Sequence, residues 1–392
     1  MRNMQQTARF AAVVTFSSLC LGSAALAEDA VSTPDFLKDI FDAATLYDNK
    51  DNPYLQKLAF TGRAQFDYAH SDGEGMLPGG PSDESLDYDD FNTRRLRAGF
   101  KATLFEDFTL HAEADFQPEE DPVYQRLTDV YVGWKHSDAF NVKLGKQGVG
   151  FTLDGSTSSK ELLTIDRNNL SNNLWFTSEY MPGVSFSGKI DNWVYTTGVF
   201  SQGGEDQEFG DFDAGATFLA TIGYDFAKCL GSDEALLTFN YVYNNPDDSG
   251  TSLFSNRSLE NIGSLNFSYL KDSFGFRTDL SAAEGYASQP NLWGFVAMPF
   301  YNFNDKLQGV MRYTLVDSDG DNGVRYSNYE SSLMLGSKGD FYQEIYTGLN
   351  YYIYGQKLKL QAGLAYLDMQ DDANDGGEFS GLSFQTGLRI SW

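Results

Sequence analysis

The chain has 392 residues, of which 55 are acidic and 28 are lysine or arginine, so its formal net charge is −27. This acidic excess repels phosphate backbones and argues against a nucleic-acid-binding protein. Aromatic side chains nevertheless make up 15% of the chain, a fraction that is too high for an intrinsically disordered protein and requires a fold that buries them.

The first 27 residues are typical of a secretory signal peptide. Arg2 and Arg9 precede an apolar run that ends in the sequence Ala-Leu-Ala. We predict cleavage after Ala27, which removes two arginines and no acidic residue and leaves a net charge of −29. Cys20 is lost with this segment, so Cys229 has no partner for an internal disulfide. No later apolar stretch approaches the roughly 20 residues of a transmembrane helix, which excludes a helical membrane protein.

Residues 28–56 differ in pattern from the rest and are predicted to form a short periplasmic helical segment. Helix-starting residues at 32–35 precede a run of apolar residues at helical spacing, namely Phe36, Leu37, Ile40, Phe41 and Ala44. Two interpretations remain open for this segment. The segment either forms a periplasmic collar or partial plug, or it is an arm that docks on the following domain.

From residue 57 to the last residue, apolar and polar side chains alternate with a period of two. In one clear run, Leu96 and Ala98 alternate with Arg95 and Arg97, and the apolar face carries no charge. Such runs are about 10 to 13 residues long, as a tilted strand that crosses a bilayer requires, whereas strands of soluble sandwiches average about 5 to 6. This pattern favours a closed barrel in lipid over a soluble β-protein.

Sixteen strands are predicted, and an even number is the rule for single-chain bacterial barrels. The fold class is therefore an all-β, 16-stranded antiparallel transmembrane β-barrel over residues 57–392, wide enough for an aqueous channel. Short turns alternate with long connections, the longest being 148–182, and this alternation places both termini on the periplasmic side. The predicted strands are 57–69, 91–104, 108–117, 125–136, 140–147, 183–190, 193–201, 213–226, 235–244, 258–270, 274–284, 292–303, 306–316, 341–353, 358–369 and 381–392.

Several segments of the chain resemble the phosphate-selective porin O and P family. The more specific ones are the double-arginine strand at 94–102 and the Thr-Ser-Ser-Lys sequence at 157–160. The resemblance implies a 16-stranded outer-membrane channel, usually trimeric, whose third outer loop, here 148–182, folds into the pore. It also implies an arginine ladder that draws phosphate inwards. A net charge of −29 is more acidic than expected for a chain with such a ladder. We therefore expect this chain to share the architecture of the family but not its substrate. Further matching segments are 52–54, 61–63, 113–116, 129–133, 143–147 and 348–352.

The candidate functional residues are charged or polar side chains of the lumen. If the inserted loop lies against the wall opposite the basic strands, the two sides create a transverse field that orders polar solutes. Alternatively, the charges pair with one another and hold the loop, and Glu113, Asp115 and Asp129 neutralise the arginines. The basic pore-lining candidates are Arg63, Arg95, Arg97, Lys101 and Lys143, and the loop candidates are Asp154, Ser158, Ser159, Lys160, Glu161, Asp166 and Arg167.

The sequence gives little support for catalysis, and we expect no cofactor. The three histidines, His70, His111 and His136, are scattered, and neither an H-E-x-x-H nor a G-x-S-x-G motif is present. The acidic sequence around Asp317, Asp319 and Asp321 resembles a calcium loop, but its glycines are misplaced and the twelfth position lacks a glutamate. We expect a solvated acidic loop, with weak Ca²⁺ binding as the alternative.

The sequence thus predicts a porin in the outer membrane of a Gram-negative bacterium. It is expected to allow passive diffusion of small hydrophilic solutes or ions, to contact lipid and lipopolysaccharide, and to form a homotrimer. Two alternatives remain. One is an anion-selective channel of the phosphate type, and the other is a non-conducting structural or adhesive protein whose acidic loops bind divalent cations.

Overall fold

The computed structural model describes residues 35–81, 84–175, 179–202, 208–209, 215–245 and 257–392. The predicted signal peptide, its cleavage position and the start of the predicted periplasmic segment lie outside these residues. Five short helices occur in the described part of the chain: α1 (Asp35–Asp42), α2 (Leu153–Ser156), α3 (Asn169–Leu174), α4 (Ala227–Leu230) and α5 (Asn328–Leu333). None of these helices is long and apolar enough to cross a membrane.

Strands dominate the described residues. They are β1 (Thr45–Asp48), β2 (Leu55–Gly75), β3 (Glu84–Leu104), β4 (Phe108–Phe116), β5 (Tyr124–Ser137), β6 (Phe140–Gly148), β7 (Tyr180–Ile190), β8 (Trp193–Ser201), β9 (Ala216–Asp225), β10 (Glu234–Asn244), β11 (Leu259–Lys271), β12 (Phe274–Gly285), β13 (Leu292–Asn302), β14 (Leu307–Ser318), β15 (Val324–Arg325), β16 (Lys338–Gly339), β17 (Phe341–Tyr354), β18 (Leu358–Gln370) and β19 (Phe379–Ser391).

Sixteen of these strands form one closed antiparallel barrel. The barrel runs from β2 to β14 in chain order, continues with β17, β18 and β19, and closes where β19 pairs with β2. The closing ladder extends from Arg63 opposite Ser391 to Gly75 opposite Phe379. Closure gives every strand two hydrogen-bonded neighbours, which a strand in lipid requires. The predicted 16-stranded barrel is confirmed.

The hairpin of β2 and β3 is longer than predicted. Each strand has 21 residues, and their pairing continues from His70 opposite Asp89 to Gly75 opposite Glu84. The prediction of a loop over residues 70–90 is therefore wrong for most of its length. Most residues of this projecting hairpin are polar, and Leu86 and Tyr88 are too few to produce the apolar–polar alternation that marks the other strands.

The two faces of the barrel wall differ as the alternation predicts. On β3, Arg95 and Arg97 point inwards and are buried, whereas Phe100 points outwards and keeps 52% of its surface exposed. Large apolar side chains such as Leu110 and Val132 are similarly exposed on the neighbouring strands. Such an outer surface suits contact with lipid.

The N-terminal arm, defined here as residues 35–48, docks on the rim of the barrel. Helix α1 buries Leu37 and Phe41, and the Phe41 ring lies 5.2 Å from the ring of Tyr354 at the end of β17. Strand β1 pairs with the beginning of β2, with Tyr47 opposite Leu58. It thereby continues the wall at the level where the pairing of β19 with β2 has ended.

Two long connections fold into the barrel and build an apolar core there. The first is 149–175, which contains α2 and α3, and the second is 319–340, which contains α5 and the small hairpin of β15 and β16. Their buried side chains pack on inward-facing side chains of the wall. The cluster includes Val149, Phe151, Leu163, Leu170, Leu174, Val324, Leu333 and Met334 from the connections, and Val242, Ile262, Val296, Met298, Val316 and Tyr342 from the wall.

Candidate functional site in the barrel lumen

The connection 149–175, called the lumen loop below, is held by its main chain. Side chains from four consecutive barrel strands, β14 and β17 to β19, donate hydrogen bonds to its carbonyl oxygens. These bonds run from Lys359 Nζ to Leu162 O (2.9 Å), Asn350 Nδ2 to Leu163 O (2.8 Å), Arg389 Nη2 to Ile165 O (3.3 Å) and Arg312 Nη1 to Asp166 O (2.8 Å). Because the acceptors belong to the backbone, this clamp fixes the path of the loop.

Arg312 has the largest set of contacts in the clamp. Its guanidinium pairs with Glu344 through two hydrogen bonds of 2.8 and 3.1 Å, and it also donates to Thr164 Oγ1 at 2.7 Å. Both charged side chains are almost fully buried. A bidentate pair of this kind orients the guanidinium, so that its remaining hydrogens point at the loop.

Two predicted loop residues, Asp154 and Arg167, act within the loop. The Asp154 carboxylate accepts hydrogen bonds from the Asn168 main-chain nitrogen (2.8 Å) and side-chain amide (2.7 Å). Arg167 Nε donates to Asp154 O at 2.8 Å, and its guanidinium lies 4.5 Å from the ring centroid of Trp175. Burial lowers the pKa of Arg167. These residues therefore shape the loop and do not present a free charge to the lumen.

The lumen loop contacts the basic strands directly, as in the alternative in which the charges pair with one another and hold the loop. Arg63 Nη1 donates to Ser159 Oγ at 2.6 Å, and Gln65 on the same strand donates to Ser159 O at 2.9 Å. Arg94 forms an ion pair with Asp166 at 3.3 Å. The physical reason is that buried guanidinium groups need acceptors, and the loop supplies them.

The predicted arginines are largely satisfied by acceptors on the barrel. Arg63 also pairs with Glu113 at 3.3 Å, and Arg95 donates to the Gln65 side-chain oxygen at 3.0 Å. Arg97 is 2% exposed and pairs with Asp115 at 3.0 Å. The expected local neutralisation by acidic neighbours is therefore present for Arg63 and Arg97.

Arg97 also belongs to a cluster that the sequence did not reveal. Its guanidinium lies 3.7 Å from Glu179 and hydrogen-bonds the Tyr180 hydroxyl, while Arg126 lies 5.8 Å from the centroid of the same Tyr180 ring. Burial raises the pKa of Glu179, but the surrounding arginines outweigh that effect and hold it well below its usual value. Glu179 and Tyr180 lie four and five residues after the end of the lumen loop, and no motif marks them.

Three lysines of the lumen differ from these arginines. Within the described residues, Lys101, Lys143 and Lys160 form no ion pair with an Asp or Glu side chain. Lys101 and Lys143 are exposed on the inward faces of β3 and β6, and Lys143 Nζ lies 5.0 Å from the centroid of the Tyr131 ring. Lys160 projects from the lumen loop and donates to Trp392 O at 3.2 Å. Burial, followed by the charges of Arg63 and Lys101, lowers the pKa of Lys160 to about 8.

A family model described as phosphate-selective porin O and P matches residues 59–259. The chain belongs to this porin family. The match covers just over half of the chain and includes the double-arginine strand, the lumen loop and the three lysines. The resemblance predicted from the sequence is therefore confirmed. No curated protein matches the porin.

Solved structures share the fold of this porin at low sequence identity. OmpF of Salmonella typhi in complex with daunomycin has a TM-score of 0.59 at 11% identity, and the alignment covers 89% of the porin and all of that chain. OmpT of Vibrio cholerae has a TM-score of 0.55 at 14% identity, with 86% and 97% covered. The outer-membrane channel DcaP of Acinetobacter baumannii has a TM-score of 0.53 at 15% identity, with 86% and 97% covered.

Family and barrel together establish the general function. The porin is a passive-diffusion channel of the outer membrane, as the sequence predicted. Family and fold point to a channel rather than an enzyme. The wet lumen of a large barrel provides the route for polar solutes.

The second connection, 319–340, lies largely inside the porin, although Asp319 and Asp321 at its start are exposed, as expected for a solvated acidic loop. The Tyr329 hydroxyl donates to Asp67 Oδ2 at 3.0 Å, and Asp67 also pairs with Arg389. Asn173 of the lumen loop donates to Arg325 O and accepts from Arg325 N. Burial raises the pKa of Glu330 to about 7. This connection therefore supports the lumen loop through direct hydrogen bonds. Its apolar residues are irregularly spaced, so the sequence showed no periodic pattern that predicts this packing.

The remaining predicted loop and calcium residues do not converge on one centre. Ser158 and Glu161 are exposed on the lumen loop. Asp317 accepts a hydrogen bond from Trp293 Nε1 at 2.8 Å, whereas Asp319 accepts from Asn291. Within the described residues, no three His, Cys, Asp or Glu side chains are grouped so that they could hold a metal ion. The structure thus gives the calcium alternative at residues 317–321 no support.

Proposed function

We propose that solutes pass beside the lumen loop, through a constriction between this loop and the wall of β3 to β6, and that this constriction favours anions. The observation that carries the proposal is the contrast between the two kinds of basic residue. Arg63 and Arg97 pair with carboxylates, whereas Lys101, Lys143 and Lys160 form no ion pair with an Asp or Glu side chain within the described residues. Positive charges that form no direct ion pair attract anions most strongly where the passage is narrow and water is limited.

The distribution of loop contacts supports this route. The lumen loop is clamped to β14 and β17 to β19, and the connection 319–340 contacts the neighbouring strand β2 through Tyr329 and Asp67. The exposed Lys101 and Lys143 belong to β3 and β6, which follow β19 by two and five strands in the barrel order. Lys160 extends from the loop, so that the three lysines surround the passage that we propose.

An anion preference is compatible with a net charge of −27 because the charge is unevenly distributed. Many of the acidic residues lie in connections between strands, such as 317–321 and 371–378. These charges surround the mouth, where salt screens them over a Debye length of about 8 Å. Selectivity depends more on the charges at the narrowest part of the channel.

We further propose the assembly and processing that the sequence predicts. Cleavage after Ala27 leaves residues 28–56 as a periplasmic segment, followed by a barrel domain of residues 57–392 that contacts lipid and lipopolysaccharide. The porin assembles as a homotrimer. The apolar outer wall supports contact with both lipid and neighbouring subunits, because each is apolar.

The proposed anion preference is tested by the zero-current potential of single porin channels in a planar bilayer with a KCl gradient. The zero-current potential is expected to have the sign of a channel in which chloride is more permeant than potassium. A potassium preference contradicts the anion-selective constriction but leaves the diffusion channel intact, whereas absence of conductance contradicts the channel itself. Block of the chloride current by inorganic phosphate distinguishes a phosphate-type site from a general preference for anions.

The anion preference is expected to decrease between pH 7 and pH 9. Because burial and neighbouring positive charges lower the pKa of Lys160 to about 8, its ammonium group loses its proton in this range. The ratio of chloride to potassium permeability, measured at both pH values, should fall with this charge. Lys160→Arg is the matched control, since arginine keeps its charge and should keep the ratio constant. An equal fall in both proteins excludes Lys160 as the titrating group.

A further inference from the structure

The N-terminal arm and the outer wall of the barrel enclose an apolar groove with a volume of about 600 Å³. Phe60, Phe100 and Trp392 of β2, β3 and the end of the chain form its floor, and Ile40 and Ala44 of the arm form its roof. The Phe60 ring lies 5.7 Å from Trp392 and 5.5 Å from Phe100, measured between centroids. This groove lies outside the lumen and has no part in the proposed passage.

The roof of the groove has a wider apolar surface than its contact with the barrel requires. Leu37 and Phe41 of α1 are buried, but Phe36 and Ile40, on the adjacent turns of the same helix, are each 60% exposed. Leu46 of β1 is 55% exposed. Helix α1 is short, carries exposed apolar side chains and lies at the rim of the barrel. Such a helix is suited to the boundary between acyl chains and headgroups.

The floor of the groove is continuous with the surface that faces lipid. Phe60 and Phe100 belong to the outward faces of β2 and β3, which carry apolar side chains along the wall. An occupant that enters the groove from that surface therefore comes from the bilayer. A chain of methylene groups matches the apolar lining because its transfer requires no hydrogen bonds.

One positive charge stands beside the groove. Lys357, in the turn between β17 and β18, is exposed, and its Nζ lies 5.5 Å from the centroid of the Phe41 ring and 5.7 Å from that of Tyr354. Within the described residues, it forms no ion pair. A lysine at the edge of an apolar groove is positioned to bind the phosphate of a lipid headgroup.

We propose that this groove binds one acyl chain of a phospholipid from the periplasmic leaflet and that Lys357 binds the phosphate of the same molecule. The arm then acts as a membrane-interface clasp. The roof that it forms over Phe60 and Trp392 holds the lipid against the wall where the pairing of β19 with β2 ends. The inference is independent of ion selectivity, since the groove and the lumen lie on opposite faces of the wall.

Fluorescence quenching by a phospholipid with brominated acyl chains tests the proposal. The probe is a full-chain variant that retains Trp392 and carries phenylalanine at the other four tryptophan positions. In detergent micelles, its quenching should saturate at one lipid per chain. A matched variant that retains only Trp193, which lies on the outer wall away from the groove, should require a much higher lipid fraction. Parallel quenching of both tryptophans overturns the proposal.

Two substitutions in the Trp392 variant separate the acyl chain from the headgroup. Ala44→Phe fills the groove and should abolish the saturable quenching. Lys357→Glu leaves the groove open but should weaken binding about tenfold, because it replaces an attractive charge with a repulsive one. Heat-modifiable gel mobility verifies that each barrel is folded. Unchanged quenching in both folded variants overturns the proposal. The proposal also fails if Trp392 is protected from quenching and this protection disappears when oligomers are diluted, because the groove is then filled by a second copy of the chain.

Discussion

Arg312→Ala is expected to destabilise the folded barrel by about 3 to 5 kcal/mol, the usual cost of breaking a buried ion pair. The substitution leaves the carboxylate of Glu344 buried without its guanidinium and removes the hydrogen bonds to Thr164 and Asp166 O. The free energy of unfolding is measured by urea titration in lipid vesicles. Because the lumen loop loses a central attachment, single-channel current should also become larger and noisier.

Two further variants separate charge burial from loop attachment. The double substitution Arg312→Met with Glu344→Leu removes both charges, so most of the stability should return while the loop stays poorly attached. Arg277→Ala removes a positive charge from β12, where Arg277 lies 5.9 Å from the centroid of the Phe300 ring, and should leave the current quiet. If the double variant restores both stability and quiet conductance, the clamp at Arg312 does not control the loop.

The barrel was predictable because lipid and water impose opposite demands on alternate residues. Leu96 and Ala98 face outwards while Arg95 and Arg97 face inwards, and this alternation with a period of two is visible in a single sequence. The projecting hairpin was missed because most of its residues are polar, and Leu86 and Tyr88 alone are too few to mark a strand. The connection 319–340 was missed for a related reason. It packs inside the barrel through irregularly placed side chains such as Tyr326 and Leu333, which leave no period to detect.

The candidate site was predictable as a set of residues but not as an arrangement. Alternation identified Arg63, Arg97 and Lys101 as inward-facing, yet it contains no information on which charge finds a partner. Pairing depends on register across strands and on the path of the loop. Glu113 reaches Arg63 from β4, for example, and Ser159 reaches it from the loop. The distinction between paired arginines and unpaired lysines therefore required the structure.

Substituting glutamate for all three lysines, Lys101, Lys143 and Lys160, is expected to convert an anion-preferring channel into a cation-preferring one. The change replaces three positive charges with negative ones at the proposed constriction, where limited water weakens screening. A change of about 1.4 kcal/mol in the energy of an ion alters its local concentration tenfold, so a shift of that order in the permeability ratio is expected. The zero-current potential in a KCl gradient should reverse its sign.

A matched control separates local charge from net charge. Glutamate at Lys135, Lys189 and Lys271 changes the net charge by the same amount, but these lysines are exposed next to the short turns at the barrel end. This control should keep the wild-type sign, as should arginine at the three lumen positions. If the control triple variant shifts the potential as far as the lumen variant does, selectivity follows the overall field of the porin. In that case the three unpaired lysines do not define the constriction.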